Sequence, residues 1–71
     1  MNLADYIARI PENFDIQQFS NHSWMAYRDG NLVGWIRAKM NGYETTVKGN
    51  RQSIKIYDTF DEAVFAIVEL T

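Results

Sequence analysis

His22 is the single imidazole of the chain, and no cysteine accompanies it. Acid–base or nucleophilic catalysis needs a base within hydrogen-bond reach of a nucleophile, oriented by a third group. His22 has Asn21 and Ser23 beside it, and no carboxylate–nucleophile set falls within its reach. One histidine and scattered carboxylates also lack the spacing of a metal site. Asn41-Gly42 and Gly49-Asn50 have the chemistry of turns rather than of phosphate loops. The expectation is a protein that is not an enzyme and holds no cofactor or metal. The side chains with usable chemistry are of another kind: Trp24 and Trp35, with Arg28, Arg37, Lys39, Lys48 and Lys55 spaced around them. Indole faces stack on bases or pack against apolar partners, and guanidinium and ammonium groups neutralise phosphates and release counterions.

The chain that must position them is short. Seventy-one residues allow one domain and one core, with little stability to spare for a strained site. A composition of 46% hydrophobic and 23% charged residues is that of a globular protein. The absence of cysteine excludes disulfides and suits a reducing, cytoplasmic setting. No apolar run approaches the ~18 residues of a membrane span, and Met1 to Asp5 lack the basic start of a signal peptide.

Leu3, Tyr6, Ile7 and Ile10 follow helical spacing, so residues 3–10 read as a short helix capped by Asn2 and ended by Pro11. Residues 11–21 carry turn chemistry around Phe14, Ile16 and Phe19 and read as an ordered connection. From His22 the period becomes two. Asp29-Gly30, Asn41-Gly42 and Gly49-Asn50 divide the stretch into strands of about 22–28, 31–40, 43–48 and 51–58. Thr59 followed by Glu62 forms a capping box that opens a helix over 60–70. The expected fold is α+β: a four-stranded antiparallel meander with one face covered by an N-terminal and a C-terminal helix.

Two-residue loops fix which residues oppose one another, and opposed residues share a face. Taken at those three turns, the registers oppose Trp24 to Trp35, Met25 to Gly34, Tyr27 to Leu32, Ile36 to Val47 and Tyr43 to Ile56. One face then collects Met25, Tyr27, Leu32, Ile36, Ala38, Met40, Tyr43, Val47, Ile54 and Ile56 as the core. The other collects Trp24, Ala26, Arg28, Val33, Trp35, Arg37, Lys39, Glu44, Thr46, Lys48, Arg51, Ser53, Lys55 and Tyr57. Every lysine and arginine except Arg9 falls on that second face, against Glu44 alone of nine acidic residues. A chain of net charge −2 would thus present a cationic, two-tryptophan surface able to steer anionic partners. The bland alternatives are a solvated face whose cations discourage aggregation, and a tryptophan pair that packs on itself.

The terminal helix should bury Phe60, Ala63, Val64, Ile67 and Leu70 and leave Phe65 among Asp61, Glu62 and Glu69. An aromatic on an acidic face is a candidate second protein contact. The order of strand, Asp-Gly turn, strand with Trp35-Ile36-Arg37, Asn-Gly turn, strand, then Tyr57-Asp58-Thr59-Phe60-Asp61-Glu62-Ala63 opening a helix spans about 24–68. It resembles the small sheet-plus-helix DNA-binding domains of the AP2 and tyrosine-integrase N-terminal type. That resemblance implies DNA-facing roles for Arg28, Trp35 and Arg37; the four expected strands and the acidic net charge depart from the pattern. The strand running into Asp-Thr-Phe-Asp-Glu-Ala is also similar to HicB-like antitoxins and to phage-encoded inhibitors of host RNA polymerase. The leading expectation is a non-catalytic nucleic-acid-binding module. The alternative is a protein-interaction module, such as a phage or mobile-element inhibitor of a host protein or an antitoxin-like adaptor binding an acidic protein surface. Homodimerisation through the tryptophan face or an edge strand is a third possibility.

Overall fold

The computed structural model describes residues 10–71, and the side chains of all of these but Gln52 and Ser53. It is an α+β arrangement of five strands and one helix: β1 (Phe14–Ser20), β2 (Ser23–Arg28), β3 (Asn31–Lys39), β4 (Gly42–Val47), β5 (Asn50–Tyr57) and α1 (Phe60–Leu70). The strands form one antiparallel meander in the order β1-β2-β3-β4-β5. The helix lies mainly across β4, with lesser contact to β3 and β5. The helix expected over 3–10 falls outside the described residues except for Ile10, which packs at the margin of the core.

The sheet has one strand more than expected, because the connection read over 11–21 contains β1. Phe14 is buried, Asp15 exposed and Ile16 half-buried, which is strand alternation. It runs for too few residues to stand out: Gln17, Gln18 and Phe19 follow, and all three are exposed.

Asp29 (φ 53°) and Gly30 (φ 79°) form the first turn as expected, both with the positive φ of a type I′ hairpin. The second turn moves by one residue. Lys39 pairs with Gly42, so Met40 and Asn41 make the loop, and Met40 is fully exposed rather than part of the core. Gly42 serves a different purpose, since a Cβ there would lie 2.4 Å from the Tyr57 carbonyl oxygen. The third loop is Lys48-Gly49, closed by the pair Val47–Asn50.

Three irregularities interrupt the ladders: one is a bulge at Phe19 on β1, and the other two reassign the faces. In β3, Leu32 opposes Tyr27 and Gly34 opposes Ala26, which leaves Val33 as an extra residue. This bulge moves Trp24 from Trp35 to Ile36, and Met25 from Gly34 to Trp35. In β5, Arg51 to Ile54 lie opposite Thr46 alone before Lys55 pairs with Thr45. Each insertion is odd in number, and an odd insertion exchanges the two faces beyond it. Met25, Tyr27, Leu32, Ile54 and Ile56, expected in the core, therefore belong to the uncovered face. Trp24, Ala26, Arg28, Val33, Lys55 and Tyr57, expected in the open, belong to the covered one.

The core is Phe14, Ala26 and Ile36 from the sheet with Ala63, Val64 and Ile67 from the helix. Gly34 lets β3 and β4 pair closely, because a Cβ would come within 2.6 Å of the Thr46 carbonyl oxygen, while the Ile67 side chain would lie at an ordinary contact distance of 3.5 Å. Thr45 is buried with its hydroxyl donating to the Lys55 carbonyl at 3.4 Å, so no buried polar group is orphaned there. Trp24, Tyr43 and Phe60 close one end of the core, with ring centroids 4.9 Å apart for Trp24–Phe60 and 5.7 Å for Tyr43–Phe60. These are tilted and edge-on geometries that favour aromatic pairs. Thr59 caps the helix as expected: its Oγ1 accepts from the Glu62 amide at 3.2 Å. Of the helical stripe, Leu70 departs from expectation and stays 56% exposed at the last turn.

Candidate partner-binding face

Because the helix covers one side of the sheet, the other side is, among the described residues, the broad surface built from strand side chains. Cross-strand pairing arranges it in rows. Asp15, Tyr27 and Leu32 form one; Gln17, Met25, Trp35 and Thr46 form the next; Ser23, Arg37, Glu44 and Ile56 form a third. Trp35 is central, flanked by Met25 on β2 and Thr46 on β4. Phe19 (70% exposed), Ile54 (51%) and Ile56 (40%) lie towards the two edges, so the apolar character continues across the sheet.

Two shallow depressions share this surface. One, of about 310 Å³, is lined by Phe19, Ser23, Met25, Leu32, Trp35 and Arg37 with Trp24 at its margin. The other, of about 470 Å³, includes Trp35, Arg37, Glu44, Thr46, Arg51 and Ile54. Trp35 and Arg37 line both and form the ridge between them. The first depression is apolar, and the second mixes charge with aliphatic surface. Arg37 stands directly across from Glu44, an opposite-charge pair at the boundary of the two.

The structure separates the residues that the sequence grouped. Trp35, Arg37 and Lys39 remain on the uncovered face, and Lys48 stands exposed in the β4–β5 turn near Arg51. Trp24 is on the covered face against Phe60 and Tyr43, so the two tryptophans do not form a cross-strand pair. Arg28 is also on the covered side. Its Nη2 donates to the Val68 carbonyl at 3.1 Å, its Nε and Nη2 reach Thr71 Oγ1 at 3.4 Å, and it sits 5.6 Å from the Phe14 ring. This places a cation at the negative end of the α1 dipole. Lys55 pairs with Thr45 on the covered face, its ammonium 5.3 Å from the Tyr57 ring. The expected cationic field is accordingly divided between two faces.

No protein-family model, curated protein or solved structure matches this chain. The site must be read from its own chemistry. Among the described residues, no group of three or more histidines, cysteines or carboxylates is placed to hold a metal ion. No helix among them is long and apolar enough to cross a membrane. On the helix, Phe65 is half-buried and already engaged, while Glu69 is exposed and Asp61 half-buried.

Sequence reasoning missed Phe19, Met25, Tyr27, Leu32, Ile54 and Ile56 as surface residues. One signal was present: Gly34 inside a strand pattern marks a bulge or a close backbone approach, and here it marks both.

Proposed function

We propose that this chain is a non-catalytic binding protein whose uncovered sheet face, centred on Trp35, docks a partner protein. The observation that carries the reading is the contiguity of Phe19, Met25, Leu32, Trp35, Ile54 and Ile56 on a face that the helix does not cover. Large exposed apolar patches are uncommon on monomers and mark contacts. Tryptophan, tyrosine, methionine and arginine are also the residues enriched at interface centres, whereas lysine is depleted there. Trp35, Tyr27, Met25 and Arg37 occupy the middle of this face, and Lys39 and Lys48 stand at strand ends. Nucleic-acid binding draws instead on many clustered cations, and Arg28 and Lys55 lie on the opposite side.

Two measurements test this. Affinity capture with wild-type protein should recover a partner that is lost with Trp35→Ala and retained with Lys39→Ala, a central aromatic typically contributing ~2 kcal/mol or more. In a Trp24→Phe background, Trp35 fluorescence should be indifferent to DNA and RNA at low salt. Saturable, salt-sensitive quenching by an oligonucleotide would transfer the face to nucleic acid and overturn the protein-docking reading.

A further inference from the structure

Among the described residues the meander has two edge strands without a further strand partner, β1 and β5, and their chemistry differs. An edge strand presents unpaired amide and carbonyl groups, which proteins shield with charge, proline or bulges. β5 has such shields: Arg51, Lys55 and the four-against-one irregularity opposite Thr46. β1 has seven residues, Phe-Asp-Ile-Gln-Gln-Phe-Ser, with Asp15 as its one charge, neither proline nor glycine, and a one-residue bulge at Phe19 that lies beyond Ile16 and Gln18. That composition is the signature of a segment ready to pair. Its exposed run, Gln17 to Ser20, lies at the outer end of the strand order.

We propose that β1 pairs antiparallel with β1 of a second copy about a two-fold axis at Gln17, joining two sheets into one. The backbone supports that register. The Asp29 amide donates to the Asn13 carbonyl at 2.8 Å, so by alternation Asp15 and Gln17 turn their backbone groups towards β2. Ile16 and Gln18 turn theirs outward, and a two-fold at Gln17 sets Ile16 of each copy against Gln18 of the other. Charge supports it as well. In this register Asp15 meets Phe19 and no like charges oppose, whereas β5 paired with itself about residue 53 would set Arg51 against Lys55 twice. A net charge of −2 adds little repulsion between copies. An isologous contact of this kind closes at two copies and leaves Trp35 uncovered. Phe19 is the one residue it shares with the apolar docking patch, so variants at Trp35 and at Gln18 separate dimerisation from partner docking.

Sedimentation across a concentration series of the full chain tests the proposal. Wild type should pass from monomer to dimer, with the Ile16 and Gln18 amides losing hydrogen-exchange protection on dilution. Gln18→Pro removes an outward donor while sparing the β2 ladder and should weaken the dimer by about tenfold or more. Gln17→Lys and Gln17→Glu should each dimerise several-fold more weakly, and mixing them should restore association. A strict monomer at the highest soluble concentration overturns the proposal. So does a dimer that tolerates Gln18→Pro but is lost with Ile56→Lys, which would assign the contact to the open face. Binding of β1 to a strand of another protein, with no self-association, overturns it too.

Discussion

The two tryptophans occupy opposite faces of the same sheet and do opposite work. Trp24 is held between Tyr43 and Phe60 under the helix, where its ring area contributes to folding. Trp35 lies on the uncovered face, where the same area is available to a partner. The arginines divide in the same way: Arg28 is bonded to the carboxyl end of α1, and Arg37 stands on the ridge between two depressions. Residue type therefore says little about role in this chain. The face on which a residue falls decides whether it stabilises the fold or remains free for contact.

Substitutions on the two faces should separate these roles. Ile67→Ala removes a fully buried side chain from the covered face and should cost ~2–5 kcal/mol in denaturant unfolding. That is enough to threaten a domain of this size, and a loss below ~1 kcal/mol would mean that the core is elsewhere. Gly34→Ala forces a methyl group against the Thr46 carbonyl and should destabilise by ~1–3 kcal/mol. Wild-type stability in that variant would contradict the close approach of β3 and β4 at Gly34. Arg28→Ala deletes the bond to the Val68 carbonyl and the cation at the helix end, a loss of ~1–2 kcal/mol. Arg37→Ala should leave the melting temperature unchanged, so equal effects of the two would erase the division drawn here. Thr59→Ala should cost ~1 kcal/mol through the lost cap, and hence lower the midpoint by roughly 4–8 °C in a small domain. Ile54→Ser, on the uncovered face, should change stability by no more than ~0.5 kcal/mol while reducing partner capture.

Much of the local structure was legible. Thr59 and Glu62 announced the helix, and Asp29-Gly30 announced the first hairpin, because each meets a geometric demand within a few residues of itself. The shift of the second turn to Met40-Asn41 changed partners by an even number of residues and so preserved the faces of β3 and β4. β1 was hidden because only Phe14 and Ile16 alternate before two glutamines interrupt. The composition of the site was less legible. Trp35, Arg37 and Lys39 were placed on the open face, whereas Trp24, Arg28 and Lys55 were placed there wrongly.

By itself the sequence determined most of the elements: alternating stretches, the residues able to turn, the helix with its cap, and a chain without cysteine. Tertiary structure alone decided parity. A strand side chain points up or down according to a count of residues, and one inserted residue at Val33 reverses that count for everything beyond it. Around that insertion Val33 packs against the core, and Gly34 lies next to Ile67 of the helix. That contact joins residues 33 positions apart, beyond the reach of any local pattern.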